Sequence, residues 1–237
     1  KSLFKIAKKI VHEDSINQFL SQNAHLKGFE FVDAVLDYFD FDYAVSSNDL
    51  QNIPTSGKVV IIANHPLGGL DALCLLRLIG QIRKDVKIVA NDFLAGFDAL
   101  NSLIITIDNY KLKQSKSDIK KIYEALNNEE ALIIFPAGEV SARTHRFVGP
   151  IFDKPWYISA IKIIKKAQVP VLPMYFHARN SDLFYWMADL HANLRTARLP
   201  SEVMKAKNKK IVVRIGHSIS VEDQSKPQNI QHYTEML

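Results

Sequence analysis

What most restricts the fold of this chain is its rhythm: short, continuous apolar runs alternate with longer stretches that are apolar on one helical face only. The runs Val59–Ala63, Val86–Ala90, Leu103–Ile107, Ala131–Phe135, Val169–Phe176 and Lys210–Ile215 are rich in Val and Ile and read as buried strands. Between them lie helical patterns over Ala72–Arg83, over Asp118–Asn127 behind an expected Ser117 N-cap, over Trp156–Ala167, and from Leu183 to about Lys205. Strands and helices in alternation specify an α/β fold, a central mostly parallel or mixed sheet flanked by helices. No repeat, low-complexity stretch or Ser/Gly linker divides the chain. The expected organisation is therefore an N-terminal helical appendage over 1–48 and one α/β domain over 49–237.

Composition narrows the function classes. A hydrophobic content of 47% over 237 residues is ample for a core. One cysteine, Cys74, rules out a disulfide framework or a multi-cysteine metal site and fits a reducing, cytoplasmic setting. No apolar run approaches the roughly 20 residues that cross a bilayer. A net charge of +5 favours anionic partners without choosing among them.

In open α/β sheets, function gathers in the loops beyond the carboxyl ends of strands. Three such ends carry chemistry here: Asn64-His65-Pro66, Pro136-Ala137-Gly138-Glu139, and His177 to Ser181 with Arg179 and Asn180. In the first, "NHPLGGLD", a histidine precedes an aspartate by six positions. On one regular helix such residues are rotated by about 600°, so they face different ways. Pro66 and the Gly68-Gly69 pair resist helix and allow tight turns that fold Asp71 back toward His65. A carboxylate that orients a neutral imidazole makes a general base near neutral pH. Read as structure alone, the same residues are a turn histidine and an Asp that opens a helix. In "FPAGEVSAR", the Gly138 turn offers backbone N–H groups, and Ser141, Arg143 and, further on, Arg146 add donors for an anion. The structural alternative is an ordinary turn with Glu139 as a solvated charge.

Taken together, "NHPLGGLD" and "FPAGEVS" resemble the two best-marked blocks of the glycerolipid acyltransferases, the lysophosphatidate-acyltransferase-like superfamily, with its His-x4-Asp signature and Phe-Pro-Glu-Gly block. The resemblance is nearer to the hemolysin-like bacterial branch, which includes the O-acyltransferases of ornithine- and glycine-lipid synthesis, and it extends from about Asp49 to Ile219. It implies that His65 deprotonates an acceptor hydroxyl, that Asp71 orients His65, and that the hydroxyl attacks an acyl thioester carried on acyl carrier protein (acyl-ACP) or coenzyme A (acyl-CoA), with no bound cofactor. It also implies substrate contacts from Asn64, Gly68, Gly69, Pro136, Gly138, Glu139, Ser141, Arg143, Arg179 and Asn180. The spacing here is His-x5-Asp, the family's block glutamate is replaced by Ala137, and Asn91–Asn109, where lysophosphatidate enzymes place a phosphate-binding arginine, contains no Arg or Lys. The expected acceptor is therefore an amino-acid-type lyso-lipid ahead of lysophosphatidate.

The first residues, "KSLFKIAKKIV", set Leu3, Ile6, Ala7, Ile10 and Val11 on one face and lysines largely on the other, the form of a helix that lies in an anionic membrane interface. That segment and an apolar cluster at Phe184 to Met187 suggest peripheral contact with the cytoplasmic face of the inner membrane; each also serves as ordinary packing. Dinucleotide, P-loop and nucleophile-elbow motifs are absent. His65, Asp71, His145 and His177 lack metal-site spacing. The basic run at Lys205–Lys210 reads as a solvated turn rather than a nucleic-acid site. The competing enzymatic reading is a thioesterase that uses the same His/Asp pair on water.

Overall fold

A computed structural model describes residues 13–90, 96–107, 116–227 and 229–237. The amphipathic segment Lys1–Val11 lies outside the described residues, as does part of Asn91–Asn109. The chain runs α1 (Glu13–Gln22), α2 (Gly28–Tyr38), β1 (Asp42–Ala44), α3 (Ser47–Leu50), β2 (Val59–Ala63), α4 (Gly69–Gly80) and β3 (Val86–Ala90). A 3-10 turn at Asp98–Leu100 precedes β4 (Ile104–Thr106), α5 (Lys116–Asn127), β5 (Ala131–Ile134), β6 (Ala142–His145), β7 (Val148–Phe152) and α6 (Ile158–Ala167). There follow β8 (Val171–His177), α7 (Asp182–Leu190), α8 (Ala192–Lys205), β9 (Lys210–Ile215), α9 (Val221–Ser225) and α10 (Ile230–Met236).

Among the described residues, seven strands form one sheet in the order β1-β9-β8-β2-β5-β3-β4, in which only the β8–β9 pairing is antiparallel. From β2 the chain crosses toward β3 on one side; from β5 it crosses back to β8 on the other. That reversal is the topological switch point at which α/β sheets open a crevice, and the ends of β2, β5 and β8 flank it.

The central strands β2 and β5 are buried on both faces. Val59, Ile61 and Ala63 of β2 join the layer under α2 and α4, with Phe31, Val32, Leu36 and Leu75. Val60 and Ile62 join the opposite layer with Ile122 of α5, Ile161 and Ile164 of α6, and Tyr233 of α10. Such double burial is why the central strands read as unbroken apolar runs. Within the N-terminal region, α2 packs into the main core, and β1 pairs with β9 as an edge strand.

Several boundaries differ from the sequence expectation. The helix expected over Ala72–Arg83 starts at Gly69 and stops at Gly80, because Gly68, at φ 83° and ψ −131°, is the break and Asp71 is already inside the first turn. The α5 helix already includes Lys116, so Ser117 lies within it rather than capping it. The region from Leu183 to Lys205 is two helices: His191 is extended, and its ring Nδ1 accepts the Asn193 N–H at 3.1 Å. The hairpin β6–β7 was not anticipated; its strands are short and mostly exposed, so they lack the alternation that marks a strand.

Candidate active site

β2 ends at Ala63, and its register with β8 is continued by a side chain. The Asn64 amide donates to the Phe176 carbonyl at 3.1 Å and accepts the Phe176 N–H at 2.7 Å, so it acts as one more rung of the parallel ladder. This fixes where the chain leaves the sheet, and His65 follows at once. The His65 ring stacks on Phe135, at the end of β5, with centroids 4.1 Å apart.

The turn Pro66–Gly68 then brings Asp71 back. His65 Nδ1 lies 3.2 Å from Asp71 Oδ2, though off the hydrogen-bond axis. The same Oδ2 accepts the Leu67 N–H at 2.7 Å and the Gly68 N–H at 3.1 Å. The Asp71 side chain is fully buried, whereas His65 keeps 17% of its side-chain surface. Burial raises the Asp71 carboxyl above its ordinary range, against the pull of His65 and the two N–H groups. An anion at the start of α4 is further favoured by the helix dipole. Because Nδ1 faces the carboxylate, Nε2 is the ring nitrogen that Asp71 does not engage.

The His65 backbone is clasped from outside its own loop. Its N–H donates to Asp153 Oδ1 at 3.0 Å, and its carbonyl accepts the Ser141 N–H at 2.9 Å. The Ser141 hydroxyl closes the loop by donating to the same Asp153 oxygen at 2.6 Å. Asp153 was not singled out from the sequence, and no local signal marks it, since its partner lies 88 residues away. Asn180 braces the next residue: its amide donates to the Pro66 carbonyl at 2.9 Å, while its own N–H donates to the Tyr185 hydroxyl.

Other candidate residues are engaged elsewhere. Glu139 receives Lys154 at 2.9 Å and Arg195 at 2.7 Å; burial raises its pKa, but these two cations outweigh it, and the net shift is downward. Arg143 lies 3.5 Å from Asp189 and 3.8 Å from Asp182, and Arg179 also pairs with Asp182. Both guanidinium groups sit near the Tyr185 ring, at 5.9 and 5.8 Å. Arg146 donates to the Asp189 carbonyl at 2.8 Å. The Gly138 N–H is held by the Phe135 carbonyl at 2.9 Å, and the Pro136 carbonyl accepts the Tyr157 N–H. Gly69, by contrast, has open space around its Cα. Of the apolar cluster at Phe184 to Met187, Phe184 and Tyr185 are buried against Val140, while Trp186 and the neighbouring Leu183 are exposed.

A cavity of about 550 Å³ opens beside the turn and is lined by Asn64, Pro66, Ser141 and Asp153 together with apolar walls that include Ile151 and Trp156. Its mostly apolar lining with a few polar groups is the usual character of a small-molecule site. Among the described residues no group of His, Cys, Asp and Glu could hold a metal ion, and no helix is long and apolar enough to cross a membrane.

Comparison with known proteins gives concordant results. A family model described as acyltransferase matches residues 2–236. A lyso-glycine lipid O-acyltransferase of Bacteroides thetaiotaomicron is 32% identical over 226 residues, covering 92% of this chain and 81% of that protein. A protein of the same name from Phocaeicola vulgatus is 31% identical over 220 residues, covering 90% and 76%. The crystal structure of the 1-acyl-sn-glycerophosphate acyltransferase PlsC from Thermotoga maritima superposes with a TM-score of 0.51 at 15% identity, over 99% of this chain and 89% of that one. At that identity the likeness concerns the fold.

Proposed function

We propose, from the premise that this chain belongs to the acyltransferase family, that it moves a fatty acyl group from a thioester of acyl carrier protein or coenzyme A to the hydroxyl of a lyso-glycine lipid. The observation that carries the chemistry is the His65 Nδ1 to Asp71 Oδ2 distance of 3.2 Å, with Asp71 fully buried and anchored by two backbone N–H groups. A carboxylate so held keeps the proton of the neutral imidazole on Nδ1 and leaves Nε2 free to act as base.

In the reaction, Nε2 takes the acceptor hydroxyl proton as the oxygen attacks the thioester carbonyl. The tetrahedral intermediate collapses with cleavage of the C–S bond, and the departing thiolate recovers the proton from the imidazolium. Negative charge on the former carbonyl oxygen is stabilised by the Gly69 N–H, at the first position of α4, where the helix dipole adds to it. The apolar cavity beside the turn receives the acyl chain. A lyso-lipid acceptor resides in a bilayer and the acyl thioesters in the cytoplasm, so this reading puts the protein at the cytoplasmic face of the membrane.

The test is a reconstitution with lyso-glycine lipid and either thioester, following diacyl product by mass spectrometry and thiol release by absorbance. Product and thiol should appear together and only with acceptor. Equal thiol release without acceptor would make the enzyme a hydrolase. His65→Ala should abolish transfer. Asp71→Asn should lower kcat on the order of 10²- to 10⁴-fold. Product formed at the wild-type rate by His65→Ala would overturn the assignment.

A further inference from the structure

On the other side of the turn lies a second cavity of about 230 Å³, lined among others by Leu67, Leu70, His177, Arg179, Asn180 and Lys209. We infer that it holds the anionic head of the acceptor, a single carboxylate on an acyl chain; this rests on the transfer reading above and names where its second substrate sits.

The size selects the part of the ligand. Sites for drug-sized molecules run from about 300 to 1,000 Å³, so this one admits a head group and a few methylenes while the larger cavity takes a chain. Position makes the two cavities partners. Ala178 lines both of them, and Pro66 lines the larger where Leu67 lines the smaller, so they approach the His65 turn from opposite sides. Asn180 ties the wall of the smaller cavity to the Pro66 carbonyl at 2.9 Å, which sets its occupant in a fixed relation to the residue next to the base.

Charge selects the chemistry. The floor is apolar: Leu67 and Leu70 are 7% and 3% exposed. The buried carboxylate of Glu202 is neutralised within the protein, accepting the Ser181 N–H and hydroxyl, each at 2.8 Å, and lying 3.2 Å from Lys205 and 3.4 Å from Arg198. Arg179 is engaged by Asp182. Lys209 is exposed and has no acidic partner among the described residues. Lys209 above an apolar floor supplies one charge-assisted contact to one carboxylate on an aliphatic stem, while the Arg179 guanidinium is already held by Asp182.

The inference is tested by titrating the wild-type protein, without thioester, with N-dodecanoylglycine, its methyl ester and dodecyl phosphate in a calorimeter below their micellar concentrations. The carboxylate should bind at least about tenfold more tightly than the ester, and Lys209→Ala should erase that difference while leaving the ester unchanged, the order expected for one charge-assisted contact. In turnover, Lys209→Ala should raise KM for the lyso-lipid by a similar factor with kcat retained. Transfer by a Lys209→Ala protein with unaltered KM, or carboxylate and ester binding alike, would overturn the head-group site and leave the acyltransferase reading standing. A dodecyl phosphate preference that depends on Lys209 would also overturn it, in favour of a phosphate-headed acceptor. Lys209-dependent carboxylate binding in a protein that transfers nothing would instead sink the transfer reading and preserve the site.

Discussion

Replacing Asp153 by alanine removes the oxygen on which the His65 N–H and the Ser141 hydroxyl converge, at 3.0 and 2.6 Å. Hydrogen bonds to a charged acceptor are worth about 1.5–3 kcal/mol each. Asp153 lines the larger cavity, so water replaces part of what is lost; about half of the summed ~3–6 kcal/mol leaves a destabilisation of about 1.5–3 kcal/mol. The catalytic consequence is separate. The Ser141 N–H still holds the His65 carbonyl, so the imidazole is displaced rather than released. A misplacement of up to 1 Å lowers kcat by about 10- to 100-fold. Asp153→Asn keeps an oxygen at the convergence point as a neutral acceptor. It should therefore retain kcat within about threefold and lose about 1 kcal/mol of stability. The assay is acceptor-dependent thiol release under saturating substrates, beside thermal melts of all three proteins. Alanine and asparagine variants equally impaired would mean that the charge of Asp153 takes part in the chemistry; an alanine variant within twofold of wild type would mean that the clasp does not position the base.

Two further outcomes follow from local geometry. The motif glycines are not equivalent: Gly68 sits at φ 83° and ψ −131°, a region open essentially to glycine, whereas a Cβ on Gly69 meets nothing within 4 Å. Gly68→Ala should cost about 1–3 kcal/mol in denaturant titration, while Gly69→Ala should be neutral or slightly stabilising; equal losses would contradict this. Asp49 accepts from Ser46, Ile215 and Arg214, and these bonds hold its carboxyl at about 2. Since the folded pKa lies below the unfolded value, its contribution is complete above about pH 4 and fades as pH falls toward 2. The melting-temperature gap between wild type and Asp49→Asn should narrow over that interval, and a gap that is independent of pH would refute the assignment.

Much of the architecture was legible because burial on both faces leaves a plain trace in composition. β2 and β3 begin and end where their apolar runs predict, since each run is bounded by residues that cannot continue a buried strand, and β9 also matches its expected span although alternate residues of it are exposed. β1 and the β6–β7 hairpin left no such trace, being short, partly exposed, and paired with segments whose identity the sequence does not state. At the turn, the approach of His65 and Asp71 was readable because it closes within one glycine-containing loop, and local backbone freedom is a sequence property.

By itself, the sequence determined the α/β class, the identity of the loop that carries an imidazole and a carboxylate, and the family resemblance that gives those groups a reaction. Tertiary structure alone decided what holds that loop in place. Asp153 and Asn180 reach it from 88 and 114 residues away. It also decided that Glu139, Arg143 and Arg179 spend their charges on ion pairs, and that two cavities rather than one meet at the turn. The physical reason is the range of the interactions: apolar periodicity and turn chemistry act over a few residues, whereas hydrogen bonds and ion pairs between loops exist only once the sheet order has set those loops side by side.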